Sequence, residues 1–287
     1  MQRDSIANTI IVATVLCLVC SLLVSTAAIQ LRERQQRNAE QFRKSNVLQV
    51  AGLGAEEIRS AGGIEKVFDE RVQDLIVDLR TGEIGGEDLA EAMGMPSSQV
   101  AEAIAKYDPV KAGKNADKNP KLGTVFVNKK DDIAGIGKGR ENFAHVYRYS
   151  GGESVEAKWI FPVRGRGLWS TLRGFLALES DLQTVAGITY YEHAETPGLG
   201  GEVDNPNWKA KWPGKLVYGP EGDVQLKVLK GAAEPDNKYG IDGLSGATIT
   251  SNGVTNMVEY WLGDQGFRQF IEKNKKGEIK LSATGSR

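Results

Sequence analysis

Asp242-Gly243-Leu244-Ser245-Gly246-Ala247-Thr248 is a short stretch rich in glycine and hydroxyls. Behind it, Val254, Met257, Val258, Trp261 and Leu262 fall on one helical face. Gly263 then supplies a stop. The spacing predicts a helix whose N-terminus lies at or just after the hydroxyls. Unpaired backbone N–H groups and the positive end of the helix dipole favour a phosphate there. The residues alone leave two readings open. Ser245 and Thr248 cap the helix, as Ser and Thr commonly do, or the helix start receives a phosphate-bearing ligand.

The rest of the chain narrows the chemistry. Its 287 residues are 40% hydrophobic and 25% charged, which suits one good-sized core or two small ones. A net charge of -1 gives no bulk attraction for nucleic acid. Cys17 and Cys20 are the only cysteines, and both lie in the first apolar run. The remainder therefore has no disulfide, no cysteine-ligated zinc and no iron–sulfur cluster of its own. His145 and His193 are too few for a usual metal site. Redox chemistry in this chain requires an organic cofactor.

Residues 1–5 read as a short tail that holds Arg3 and Asp4, and Ile6 to Ile29 carry no charge. Twenty-four residues in a helix span roughly 36 Å, enough to cross a bilayer with some tilt. A cleaved signal peptide is the rival, with Ser25-Thr26-Ala27-Ala28 as its cleavage site. The apolar run exceeds the usual signal-peptide length, and neither cysteine follows the small residues of a lipoprotein signal, which favours a retained anchor over 6–29. Arg32, Arg34, Arg37, Arg43 and Lys44 follow the span, against Arg3 before it. The positive-inside rule then places the C-terminal part in the cytoplasm. Residues 30–46 read as a polar helical linker, and 47–287 as the folded domain.

Within that domain, Gly62-Gly63 break the chain before a short helix over Ile64 to Phe68, and Val72 to Leu79 reads as a strand. Leu89 to Val100 has the helix–turn–helix spacing, with a second helix capped by serine. It carries Glu87, Asp88, Glu91 and Glu102 against a single Lys106. A recognition helix without positive charge cannot neutralise phosphates, so a plain helical hairpin is expected. Lys111 to Lys121 reads as a loop. Strands are expected over Thr124–Val127, His145–Tyr149, Val155–Phe161, Gly174–Leu178 and Thr184–Glu192. Gly135-Ile136-Gly137-Lys138-Gly139 lacks the ending of a phosphate loop and reads as a surface turn.

Two more glycine loops stand out. Gly165-Arg166-Gly167-Leu168-Trp169-Ser170 presents a large aromatic at a turn. It is either a buried tryptophan or a wall against an aromatic cofactor. Glu195-Thr196-Pro197-Gly198-Leu199-Gly200-Gly201 brings backbone close to a ligand, or is only a turn. Further on, Asn205-Pro206-Asn207-Trp208 opens a short helix, and Val224, Leu226 and Val228 alternate as a half-buried strand does. Gln265 to Lys273 closes the chain as a helix, with Lys273, Lys275 and Lys276 facing water.

The string Asp242-x-x-Ser245-Gly246-Ala247-Thr248 resembles the flavinylation motif of bacterial redox membrane complexes. In that motif a flavin transferase attaches FMN, through its phosphate, to the last threonine. With the Gly167-Leu168-Trp169-Ser170 and Glu195-to-Gly200 loops in order, and an N-terminal anchor, the chain resembles the C subunit of the sodium-translocating NADH:quinone reductase. The resemblance covers most of the chain. It implies an α+β fold: one transmembrane helix, then an FMN-binding domain with a curved antiparallel sheet and flanking helices. It also implies covalent FMN on Thr248, with Ser245, Gly246 and Ala247 beside it and no resident metal. Leu168, Trp169 and Leu199 would flank the ring, while Glu195 and Thr196 would hydrogen-bond its polar edge or ribityl chain.

The implied role is that of an electron carrier, inactive alone, in a sodium-exporting NADH:ubiquinone reductase. Its implied partners are the other subunits, a flavin transferase and the lipid bilayer, with no nucleic acid. The large domain is expected on the periplasmic side of a bacterial inner membrane. The flanking charges disagree, but long domains translocate regardless of them. Asp242 either assists the transferase or caps a turn, and Lys238 either pairs with the phosphate or is merely solvated. The alternatives are the flavinylated subunit of a ferredoxin:NAD oxidoreductase complex, typically shorter, and a non-redox membrane-anchored module in which the motif only caps a helix.

Overall fold

Alternation along the strands decides the layering. The computed structural model describes residues 6–152 and 155–279. The expected tail at 1–5, with Arg3 and Asp4, lies outside them, as do residues 280–287 of the expected domain. The chain divides into two compact units, Met1–Lys44 and Ser45–Arg287.

In the first unit, α1 (Ile6–Val50) runs without a break through the apolar run and the charged stretch after it. Its large apolar side chains, from Ile6 to Ile29, stand exposed. It is long and apolar enough to cross a membrane. The last residues of α1 belong to the second unit.

There, α2 (Ala55–Ser60) and α3 (Ile64–Arg71) lead into β1 (Val72–Asp78) and β2 (Glu83–Ile84). Next come α4 (Gly86–Ala92), α5 (Val100–Lys106) and α6 (Pro109–Lys114), followed by the short strands β3 (Gly123–Val125) and β4 (Gly139–Glu141). The central strands are β5 (Phe143–Tyr149), β6 (Lys158–Arg166), β7 (Thr171–Glu179) and β8 (Val185–Glu192). The last elements are α7 (Pro206–Lys209), β9 (Lys227–Val228), β10 (Gly240–Ile241), α8 (Thr248–Leu262) and α9 (Arg268–Lys275).

Six strands form one antiparallel sheet in the order β2-β1-β5-β6-β7-β8. Register shifts at Arg173/Gly174 and Ala177/Leu178 bend the β7–β8 ladder. Val146, Phe161, Leu176 and Leu178 share a core with Val254, Met257, Val258 and Trp261 of α8. Their neighbours Tyr147, Ile160, Phe175 and Ala177 pack in a second core with Val47, Leu48 and Val50 of α1 and Phe68 of α3. Both faces of the sheet are therefore covered, which is why the central strands read as nearly continuous apolar runs. A third core joins Ile76 and Phe143 to Leu89, Tyr107 and Ala112 of the α4–α6 segment.

Several expectations are corrected. Lys111–Lys121 is not all loop. Asp108 caps α6 by accepting the Lys111 N–H at 3.0 Å, with Pro109 in the first turn. No serine caps α5, which follows a 3-10 turn over Ser97–Gln99. Val224 makes only an isolated bridge to Tyr218, so the strand shrinks to Lys227–Val228. Lys273 reaches Glu83 at 2.7 Å, and the Lys275 ammonium lies 5.2 Å over Tyr218. These two lysines hold α9 in place rather than merely facing water.

Candidate functional site

The close packing of α8 depends on one glycine. Gly253 lies against the end of β6, where a Cβ would sit 2.2 Å from the Arg166 carbonyl oxygen. Further along the helix, the Trp261 indole N–H donates to the Arg164 carbonyl at 2.7 Å. The Arg164 guanidinium lies 4.8 Å over that same ring and pairs with buried Glu141. These contacts place the first turn of α8 beside the loops that follow β6 and β8.

Glu195 knits the three segments together. Its carboxylate accepts the backbone N–H groups of Leu168 (3.1 Å), Trp169 (3.0 Å) and Ser170 (3.0 Å). It also accepts the hydroxyls of Ser170 (3.1 Å) and Thr250 (2.7 Å). Burial alone would raise this carboxyl. The Thr250 hydroxyl and the three N–H donors outweigh it and hold the group below the ordinary glutamate range. Gly167 and Gly200 make room, since a Cβ at either would come within 2.6–2.7 Å of the carboxylate oxygens. Glu195 is thus turned inward, and its acceptors are taken by the protein rather than offered to a ligand's edge. Thr196 is exposed, with its carbonyl accepting the N–H groups of Leu199 and Gly201.

The four hydroxyls near the helix start differ sharply. Thr250 and Ser251 are 1% and 3% exposed, and both are hydrogen-bonded, Thr250 to Glu195 and Ser251 as acceptor from the Leu244 N–H at 3.1 Å. Ser245 and Thr248 are exposed. Neither caps α8, whose first turn has no side-chain cap. The capping expectation for these two therefore fails, because Ser251 has already tied down the loop. Among the described residues, the N–H groups of Ser245, Gly246, Thr248, Ile249 and Thr250 meet no protein acceptor. Gly246 is left-handed at φ 69°, and a Cβ there would meet Leu199 Cδ2 at 3.0 Å. Ala247 is buried in the core beneath.

Around this helix start stand apolar side chains that the fold leaves in water. Trp169 is 67% exposed and Ile249 58%, with Leu168 and Leu199 also exposed. A groove of about 490 Å³ runs between the motif and residues 229–232, and its lining includes Asp242, Ser245, Thr248 and Lys230. Lys230 is exposed and has no anionic partner among the described residues. Sequence reading missed it because nothing in the spacing joins it to the motif. Ile249 was legible as an apolar residue off the buried face of α8. Lys238 is exposed and lies outside the groove lining. Free amides beside an exposed hydroxyl, with uncovered apolar side chains nearby, fit a phosphate-bearing aromatic cofactor.

Comparison with known proteins agrees. Residues 167–263 match the FMN-binding domain family. The chain is 41% identical to the C subunit of the Na(+)-translocating NADH-quinone reductase of Pseudomonas aeruginosa over 280 residues, covering 96% of this chain and 99% of that one. The corresponding protein of Vibrio alginolyticus is 40% identical over 278 residues, covering 97% and 98%. Among solved structures, NqrC of Shewanella oneidensis superposes with a TM-score of 0.65 at 30% identity, covering 83% of this chain and 99% of that one. The C subunit from Parabacteroides distasonis shares the fold, with a TM-score of 0.58 at 23% identity over 84% and 96% of the two chains. A glycine-framed, solvent-facing helix start, inside a matched FMN-binding domain and with near-full-length relatives, places this chain in the family of the Na(+)-translocating NADH-quinone reductase C subunits.

Proposed function

We propose that the chain is a membrane-anchored electron carrier of that reductase, with FMN joined through its phosphate to the Thr248 oxygen. One observation carries the attachment point. Of the four hydroxyls at the helix start, Thr250 and Ser251 are sealed and bonded, whereas Ser245 and Thr248 are exposed and unbonded. Of that open pair, Thr248 is the first residue of α8, followed by the free amides of Ile249 and Thr250, and is the threonine that the flavinylation motif marks. Attachment is a redox-neutral phosphoryl transfer. The Thr248 O–H bond breaks, as does the P–O bond to the leaving group of an activated flavin donor (a flavin dinucleotide, which releases the nucleoside monophosphate). An O–P bond forms, and the proton leaves with that phosphate or to solvent. The N–H groups of Thr248, Ile249 and Thr250, with the helix dipole, then steady the remaining phosphate charge. Ser245 and Gly246 add two more donors, and Ala247 keeps the turn small. Lys230 supplies a positive charge along the same groove.

Bound FMN supplies one- and two-electron transfer. Leu168, Trp169 and Leu199 offer the ring apolar contact, and Ile249 joins them. Thr196 remains the polar group of its loop open to the ribityl chain. Glu195 acts by holding the loops around the site. A tether keeps the carrier from dissociating and lets an edge of the ring stay open to neighbouring subunits. The partners are those subunits, a flavin transferase and the bilayer, with no nucleic acid.

For the anchor, α1 offers an apolar surface on which two of its hydroxyls are closed on the backbone. Ser21 and Thr26 donate to the Leu18 and Leu22 carbonyls at 2.9 and 2.8 Å. The chain crosses a bacterial inner membrane once, with the large domain on the periplasmic side, against the count of flanking positive charges. Family membership sets aside the ferredoxin-linked alternative. The non-redox reading loses its premise, since Ser245 and Thr248 do not cap the helix.

The test uses the chain produced with an active flavin transferase. The wild type gives a fluorescent band on a denaturing gel, and peptide mapping puts the added mass on Thr248. Thr248→Val gives a dark band. A fluorescent Thr248→Val band, or mass on Ser245 or Thr250, overturns the assignment.

A further inference from the structure

Asp242 opens the motif, and every acceptor it carries is already in use. One carboxylate oxygen accepts the Ala233 N–H at 2.9 Å, and the other accepts the Lys211 ammonium. Its backbone carbonyl accepts the Trp208 indole N–H at 2.8 Å. Trp208 is in turn fixed edge-on against buried Trp212, with ring centroids 5.4 Å apart. The next residue continues the attachment. The Gly243 N–H donates to the Gly231 carbonyl at 2.7 Å, and a Cβ at Gly243 would lie 2.3 Å from the Leu229 carbonyl oxygen. Downstream, Leu244 is buried and its N–H donates to Ser251. Between these two fixed points and the helix lie Ser245 and Gly246, whose amides are free.

We infer that Asp242 is a positioning residue. With Lys211 as its ionic partner, it clamps the start of the motif to the α7 and 229–233 segments, so that a preset loop presents Thr248 to the modifying enzyme. The inference rests on Thr248 as the attachment point. It separates the two roles that sequence leaves open for Asp242, because a carboxylate engaged on both oxygens is not a free base for the threonine hydroxyl. The clamp also matches the charge state of the group: the Lys211 contact, then the Ala233 N–H, hold the carboxyl below its ordinary range, so it stays ionised. A loop set before its modifying enzyme arrives avoids the ordering cost that a mobile one incurs on binding.

The experiment compares full-length wild type, Asp242→Asn, Lys211→Met and the double variant. The Asp242→Asn amide keeps an oxygen for the Ala233 N–H and loses only the ion pair. Lys211 is half-exposed, so its loss leaves the cores untouched. The first readout is amide hydrogen exchange at Ala233 and Gly243 in flavin-free protein. Losing a hydrogen-bonded charge partner should speed it about tenfold in each single variant. The second is flavin incorporation at limiting transferase, with KM and kcat for the chain as substrate separated. Each single variant should raise KM at near-constant kcat, and the double variant should be no worse than either.

Unchanged exchange in both single variants overturns the clamp. So does a Lys211→Met chain that incorporates like wild type while Asp242→Asn loses kcat, since Asp242 would then act directly on the transfer. Incorporation into Thr248→Val, by contrast, would overturn the attachment point and leave the exchange result standing.

Discussion

At the residue scale, Glu195 is a buried carboxylate that, among the described residues, faces five hydrogen-bond donors and no cation. Its depressed carboxyl fixes the sign of a pH effect. A group whose folded pKa lies below its unfolded one contributes stability above the unfolded value, and loses it as pH falls through the folded value. The stabilisation is therefore full at neutral pH and fades below the ordinary glutamate value of 4.5. Glu195→Gln keeps the shape but sets an NH2 group against N–H donors. It should cost about 1–3 kcal/mol at neutral pH. Denaturant midpoints measured from pH 7 to below 4 should show a smaller loss in the variant than in wild type, and equal slopes would sink the assignment. Sequence showed that the Glu195 loop mattered but not how. The donors come from residues 25–55 positions away, and no local pattern encodes a carboxylate shared by three segments.

At the scale of elements, α8 was legible to within a residue or two, because its apolar period is strong and Gly263 ends it. Short elements were not. α6 is set by an Asp-Pro start that a lysine-rich composition hides, and the alternation at 224–228 outran the ladder that pairs it. Gly253 shows why composition misleads inside α8 as well. By propensity, alanine there would gain about 1 kcal/mol. The added methyl, however, meets the Arg166 carbonyl at 2.2 Å, and that residue's N–H is bonded to Ala134. Overpacking of this kind costs about 1–3 kcal/mol, so the clash wins. Gly253→Ala should lower the denaturation midpoint, while Asn256→Ala on the exposed face should raise it slightly. A stabilised Gly253→Ala would show that α8 is free to move away from β6.

At the scale of the whole molecule, the end of α1 serves the second unit as core. Val47 and Leu48 are fully buried among Tyr147, Tyr149, Ile160 and Phe175, and the Asn46 side chain accepts from the Thr189 hydroxyl at 3.2 Å. A chain beginning at Ser45 should melt cooperatively. Leu48→Ala in that chain should cost about 2–5 kcal/mol, as large-to-small core changes do. Calorimetry of the two is the check, and an unchanged melting temperature would refute the packing. The apolar span and the charged stretch after it were readable from composition and length, whereas the α+β class of the domain came from the family resemblance of its three glycine loops. Residues from Val47 on read as the start of the domain, but not as the last turn of α1, since nothing in the local pattern shows that the helix runs on into the core without a break. The contrast between sealed Thr250 and Ser251 and open Thr248 also has a consequence in time. While the chain is unfolded, all four hydroxyls of the helix start are equally available; the finished fold hides Thr250 and Ser251 and leaves Ser245 and Thr248 open. If the flavin is attached as proposed, selection among them belongs to a stage after folding, and folding itself removes two of the four choices before the transferase acts.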